Sequence, residues 1–558
     1  MEQVLINEQI ILGVGYLLFF FILFRKKQRS IIYVILCTMV FMGIYYVLSK
    51  NIQTFFWGSK GDELFIGAFF TRVLHGQPFN DLYYSGLPPF YPPLYFWVSG
   101  LVAKLFTSSS VVTGKIGVLG SIIVWFFGSY VFQWIYWKKE SVKIKVASSP
   151  WFWITLPAIY FIWLDFNEII TKPYETVSAI LLIIWIGLFS HHIAHRTLNT
   201  ESYLFFGITG GILFLTYHFW WFIIIPTLFT LALVSGQRSV VKNMFSVFAI
   251  GIIMAIIASP YLIPLFLSFQ GGVENWQAIH MVPSDFKVFM PWLSFSIKGA
   301  LAFLGLIGLV AFRKQPFVKA SVIVLIYTYI WQLINFIIFL TSGRPVHSSK
   351  PYLFLGGVAL MVGASYVLFW VYESYMYKVN SGKNKVVVSI FVFIALSRVF
   401  FFLNDPAIAT QLELNTQEPK GQYLAGVIES TVPDYKDRIW LSSGFPELNL
   451  FIPLNYYLAH NAHFSHQASR YMERLKKVQS VEAFKTPEEF NTLMNELNVN
   501  SLLLFKDNQK NSFTLFYRID NFPDGSKGIE VNLNPTLIDT SWNKVYSNSE
   551  WDIFIKLD

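Results

Sequence analysis

The sequence predicts a mostly α polytopic membrane protein: a helical bundle of about twelve spans followed by a C-terminal α+β exoplasmic domain. Three observations predict it. Of 558 residues, 54% are hydrophobic, 18% aromatic and only 13% charged, where soluble domains run near roughly 25% charged. That much apolar surface exceeds what a soluble core can hide, so most of it has to face lipid. Apolar runs of spanning length fill residues 1–403, and the composition then returns to soluble values, with 14 Lys+Arg against 20 Asp+Glu in residues 404–558. The division into a membrane domain (1–403) and an exoplasmic domain (404–558) follows.

The net charge of +9 belongs to the apolar part, where 28 basic residues stand against 13 acidic ones. In short loops between spans such an excess sets topology and is no nucleic-acid footprint; the bilayer, not nucleic acid, is the expected partner. The single cysteine, Cys37, lies inside an apolar run, which excludes a disulfide framework and any Cys-based metal site. No Walker loop, dinucleotide fingerprint or zinc spacing is present.

The spans are read at 9–24, 31–49, 114–137, 150–165, 176–191, 203–217, 220–235, 244–267, 290–312, 318–340, 352–376 and 386–403. The run Arg25-Lys26-Lys27-Gln28-Arg29 marks the cytoplasmic side. Lys138, Lys139, Lys143 and Lys145, then Arg196, Arg238, Lys242, Arg313, Lys314 and Lys319, then Lys378, Lys383 and Lys385 fall on that same side, provided that 203–235 is two spans turning at Tyr217–Trp221. His191, His192 and His195 lie at a cytoplasmic helix end and read as titratable charge there.

The opposite face carries the long loop 50–113, shorter loops at 166–175, 268–289 and 341–351, and the C-terminal domain. Within the latter, a helix is expected near 464–478. A second opens at Thr486-Pro487-Glu488-Glu489, a capping box with proline at the first helical position. Ser501–Phe505, Phe513–Tyr517 and Trp551–Ile555 alternate as strands.

Chemistry gathers on that face. Loop 50–113 begins with Trp57-Gly58-Ser59-Lys60-Gly61-Asp62-Glu63 and continues through Thr71-Arg72, Asn80-Asp81 and Pro88-Pro89-Phe90-Tyr91-Pro92-Pro93 to Trp97. Adjacent carboxylates at a bilayer surface suit a general base or a metal ligand, and equally the solvation of a loop. Aromatic and proline residues there suit an interfacial belt as well as a site. His218 and Trp220 at the outer turn admit sugar stacking or the same belt role. Cations on this face run against the usual loop bias: Arg72, Lys172, and Arg344, His347 and Lys350 in Ser342-Gly343-Arg344-Pro345-Val346-His347-Ser348-Ser349-Lys350. They are candidates for an anionic ligand or for lipid headgroups.

An acidic pair in the first large outer loop of a many-span protein resembles the GT-C glycosyltransferases. The string Asn80-Asp81 to Trp97 is similar, more narrowly, to the galactan arabinofuranosyltransferases of actinobacterial cell walls. Lys172-Pro173-Tyr174-Glu175 after a span, and His460, His463, Phe464, Arg470 and Arg474 in the tail, fit the same family. The richness in Lys, Ile, Asn and Phe departs from actinobacterial proteins. The resemblance implies a GT-C type bundle, a polyprenyl-phosphate sugar donor, an envelope glycan acceptor, and inversion by direct displacement. It implies a base, with Asp62 first, Glu63 assisting and Asp81 second. It further implies donor-phosphate contacts among Lys172, Arg344, His347, Lys350 and Arg72, and substrate contacts among Asn80, Tyr91, Trp97, Tyr174, Glu175, His218 and Trp220. The carboxylates near Asp62 are compatible with a divalent cation and with a metal-free site alike.

Three other readings compete. A transporter or flippase of lipid-linked sugars would place charge at the bilayer midplane in repeated halves, whereas these spans are nearly uncharged and unrepeated. A scaffold for envelope polymers would need no acidic pair. A GT-C enzyme with another lipid-linked sugar fits the motifs equally.

Overall fold

The computed structural model describes Ile10, Gly13, Gly15, residues 30–56, Gly58, 61–131, 152–234, 240–274, 289–343, 349–376, Ile394, Ser397, 405–521 and 525–557. The expected spans 9–24 and 386–403 lie outside the described residues, apart from these single positions.

The bundle begins with α1 (Ser30–Ser49), followed by two helices inside the long loop, α2 (Asp62–Leu74) and α3 (Leu94–Ala103). Then come α4 (Ser110–Ile123), α5 (Phe152–Thr171), α6 (Pro173–His195), α7 (Thr200–Thr216), α8 (Trp221–Val234) and α9 (Val240–Ser268). The set closes with α10 (Ile297–Ala311), α11 (Pro316–Ser342) and α12 (Gly357–Met376). Among the described residues, five helices are long and apolar enough to cross a membrane: 110–131, 173–195, 240–271, 316–342 and 349–371. The pair α7 and α8 is bent by 117° at the break after Thr216, as a turn at Tyr217–Trp221 requires.

Two expectations for the bundle need correction. The span expected at 290–312 is helical only from Ile297, because Pro291–Leu293 forms a separate 3₁₀ turn and Ser296 caps the helix, its Oγ accepting from Gly299 N at 3.0 Å. The expected span 150–165 ends at a true break, Asp165 (φ +71°), but the loop expected at 166–175 is largely helical: α5 resumes to Thr171, and α6 starts at Pro173 after Lys172 (φ −128°) because Pro173 cannot continue the preceding ladder.

Helix α6 is apolar on every side and buried on every side, which makes it the bundle's centre. Small residues set the closest contacts. A Cβ on Gly308 would stand 2.0 Å from Gly363 O, and one on Gly305 2.3 Å from Leu360 O, so α10 and α12 pack backbone to backbone.

The C-terminal domain contains α13 (Pro406–Leu414), α14 (Lys420–Thr431), α15 (Tyr471–Gln479) and α16 (Pro487–Glu496). The last three pack on a seven-stranded sheet of β1 (Ile439–Ser442), β2 (Asn455–Tyr456), β3 (Ser501–Asp507), β4 (Ser512–Asn521), β5 (Gly525–Leu533), β6 (Trp542–Ser547) and β7 (Trp551–Lys556). The order is β2-β1-β3-β4-β5, with β7 joining β3 to β6; β1 is parallel to β2 and β3, and the remaining pairs are antiparallel. The Thr486 capping box is present as expected. The helix expected near 464–478 starts only at Tyr471, because Arg470 adopts φ +53° and separates it from two short 3₁₀ turns.

This domain is bolted to the long loop. Arg72 is fully buried and donates to the carbonyls of Leu82 (3.2 Å) and Leu454 (2.8 Å) and to Gln77 Oε1 (2.6 Å). Thr71 Oγ1 donates to Leu450 O (2.8 Å), and Tyr456 N to Tyr83 O (2.6 Å). On a second flank Glu274 accepts from Met472 N at the start of α15, and Arg470 donates to Gly271 O at 2.7 Å.

Candidate active site

Gly61 precedes α2 with φ +57° and nothing within 4 Å of where a Cβ would stand. The backbone conformation, not lack of space, favours glycine here. That turn makes Asp62 and Glu63 the first two helical residues, where the helix dipole favours acids. Neighbours i and i+1 on a helix point apart, so the acidic pair divides. Asp62 keeps a side chain 43% exposed, whereas Glu63 is buried and its charge is felt by Tyr45 of α1.

A cavity of about 380 Å³ opens between the start of α2 and the C-terminal sheet. Asp62 and Tyr83 line it from the long loop; His460, Asn461, His463 and Arg518 line it from the C-terminal domain. Burial pushes the His460 ring down to about 4. Its Nδ1 lies 3.2 Å from Phe516 O, an atom that only accepts, so Nδ1 carries the proton.

On the other side of Asp62 stands a charge cluster. Lys172 Nζ lies 3.9 Å from Asp62 Oδ2 and 3.8 Å from Glu168 Oε2. Lys350 Nζ lies 2.6 Å from Glu175 Oε1, with both side chains largely buried, and 5.3 Å from the centre of the Tyr217 ring. Tyr91 donates its hydroxyl to the same Glu175 oxygen at 3.4 Å and sits edge-on to Tyr174. Trp220 donates Nε1 to Glu175 O at 3.2 Å and to Ser178 Oγ at 2.9 Å. Glu168 feels Lys172, Glu175, Lys350 and Asp62 together, which ties the two lysine pairs into one group.

Asp62, Lys172, Tyr91, Tyr174, Glu175, Trp220 and Lys350 thus converge. Others do not join them. Arg72, expected at a phosphate, has its guanidinium committed to carbonyls of the loop and the C-terminal domain. Asp81 is fully buried and accepts through Oδ1 from Tyr83 N and Tyr84 N, both at 3.0 Å; burial pushes its carboxyl up, against the nearby His466 charge and these N–H groups. Asn80 donates its N–H to Gln77 O (3.3 Å) and Trp97 its Nε1 to Pro78 O (2.8 Å), both within the loop. His218 packs its ring against Phe214 and Tyr261. Arg344 and His347 lie outside the described residues.

Sequence reasoning passed over Glu168 and Arg518. It also passed over Asp165, which interrupts α5 with φ +71° and pairs with Lys298 of α10. Among the described residues no three His, Cys, Asp or Glu side chains converge as a metal-holding group; the carboxylates around Asp62 meet lysines.

An apolar helical bundle with, among the described residues, five helices long enough to cross a bilayer, an acid–lysine cluster and an α+β region packed against it make this a membrane protein. The fold is shared with ArnT from Cupriavidus metallidurans, solved bound to undecaprenyl phosphate, at a TM-score of 0.53 and 12% identity over 94% of this chain and 97% of that one. The chain belongs to the family described as "Arabinofuranosyltransferase N terminal", whose model matches residues 6–344. Over 338 residues it is 24% identical to the galactan 5-O-arabinofuranosyltransferase of Mycobacterium leprae (strain TN), covering 56% of this chain and 51% of that protein. The enzyme of the same name from Mycobacterium tuberculosis (strain ATCC 25618 / H37Rv) is 24% identical over 327 residues, covering 56% and 48%. The chain spans about half the length of these curated relatives.

Proposed function

We propose that this protein is a membrane glycosyltransferase that moves a sugar, arabinofuranose, from a polyprenyl-phosphate donor to a cell-envelope glycan. Twelve spans would hold the site and the C-terminal domain at the outer face. The observation that carries this reading is the position of Asp62, a half-exposed carboxylate that lines a sugar-sized cavity and stands 3.9 Å from Lys172. Family membership and the relatives' names support the sugar; the solved neighbour's bound undecaprenyl phosphate supports the carrier.

The chemistry follows from that position. An acceptor hydroxyl in the cavity loses its proton to Asp62 as its oxygen attacks the anomeric carbon. The bond from that carbon to the phosphate oxygen breaks on the opposite side, so the centre inverts and polyprenyl phosphate leaves. The charge that develops on the phosphate needs cations at the same face, and Lys172 and Lys350 are placed to supply them. Glu175 and Tyr91 hold Lys350 until donor arrives.

The test is transfer in membranes containing the full chain. Radiolabelled polyprenyl-phosphoryl arabinose is supplied with a galactan oligosaccharide or a host envelope extract, and label is expected in the glycan. Label entering glycan only from a different lipid-linked sugar would overturn the arabinose assignment, and none from any such donor would overturn the transferase reading.

A further inference from the structure

Across the cavity from Asp62 the C-terminal domain presents two polar groups held in fixed register. Arg518 N donates to His460 O at 2.8 Å, and Asn461 and Arg518 form a β-bridge, so the two side chains leave neighbouring points of one wall. Because His460 Nδ1 donates to Phe516 O, Nε2 of the same ring is an acceptor. The ring stacks on Phe516 (centroids 6.0 Å apart). A Cβ on Gly444 would stand 2.8 Å from the ring and 2.0 Å from Phe516 O, so the ring is boxed in. Arg518 is exposed and lines the cavity. The ring's fixed position leaves Nε2 as the atom free to meet a ligand. Phe445 and Phe464, half-buried in the same lining, offer apolar surface for a sugar face.

An acceptor nitrogen beside a fork of N–H donors matches a vicinal diol, in which one hydroxyl donates and the other accepts. We propose that His460 and Arg518 form the acceptor subsite: they read a vicinal diol of a neutral glycan and so hold the attacking hydroxyl toward Asp62. This rests on the transferase reading above, and it assigns to two residues of the C-terminal domain the choice of acceptor rather than the chemistry.

Binding, not turnover, tests it. The detergent-solubilised full chain is titrated with a galactan oligosaccharide, and with the same oligosaccharide after periodate has cleaved its diols, by calorimetry and saturation-transfer NMR. Wild type should bind the intact glycan and lose the oxidised one, and Arg518→Gln and His460→Gln should each weaken binding about tenfold or more. Undecaprenyl phosphate, titrated as a fold control, should bind all three proteins alike. Equal glycan binding by wild type and both variants, equal binding of intact and oxidised glycan, or no glycan binding by wild type would overturn the proposal. Glycan binding as expected with no sugar transfer would instead count against the transferase reading alone.

Discussion

Lys172 Nζ stands 3.9 Å from Asp62 Oδ2, so the break between α5 and α6 delivers a cation to the first residue of α2. Lys172 also reaches Glu168 one turn back, which leaves it balanced between two carboxylates. Lys172→Met should therefore lower transfer about 10²-fold, the scale of losing one electrostatic contact to a developing charge. Lys172→Arg should restore part of that loss. Initial rates at saturating acceptor measure both, and equal rates for Lys172→Met and wild type would remove this lysine from the site.

Lys350 and Glu175 form a nearly dry pair at 2.6 Å. Removing one partner of such a pair strands the other's charge, at a cost of about 3–5 kcal/mol, while removing both costs much less. Lys350→Met should lower the unfolding midpoint in detergent markedly, and adding Glu175→Gln should recover most of the loss. Additive losses in this double-mutant cycle would contradict the pairing.

Backbone contact between α10 and α12 leaves no room at Gly308. Gly308→Ala should destabilise the bundle by about 1–3 kcal/mol through forced separation of the helices. Thermal unfolding in detergent, with Gly120→Ala as the control at an uncrowded glycine, measures it.

Glu489 accepts from Lys485 N (2.7 Å) and Thr486 N (3.1 Å), and these N–H groups hold its carboxyl below the ordinary 4.5. A depressed folded-state value means that the stabilisation is complete above the unfolded value and is lost as pH falls through the folded one. Protection of the Lys485 and Thr486 amides against hydrogen exchange should therefore fall as pH drops below about 4.5. Glu489→Gln should flatten that dependence; a variant with the same pH profile as wild type would contradict it.

What the sequence shows of this molecule is what local rules govern. The capping box at Thr486 is legible because its two partners are three residues apart. The strands from Ser501 and Trp551 follow from alternation. Arg72 is not legible in the same way: its defining partner, Leu454 O, arrives from another domain, and a cation in an outer loop looks the same whether it meets a carbonyl or a phosphate. Arg518 was passed over because an exposed arginine on a strand carries no mark of the cavity that it lines. The acidic pair was legible as a pair, but only helix geometry reveals that Asp62 faces the cavity while Glu63 faces Tyr45. The anchoring of Arg72 also means that deleting residues 404–558 would strand buried polar groups, so point variants test the domain's role more cleanly.

The most direct measurement compares Asp62→Asn with wild type in the membrane transfer assay, with expression level and undecaprenyl-phosphate binding matched. The substitution keeps shape and removes the proton acceptor. Transfer should fall by about 10²–10⁴-fold, the contribution of a positioned general base, with phosphate binding intact. Transfer at the wild-type rate would contradict the account at its centre.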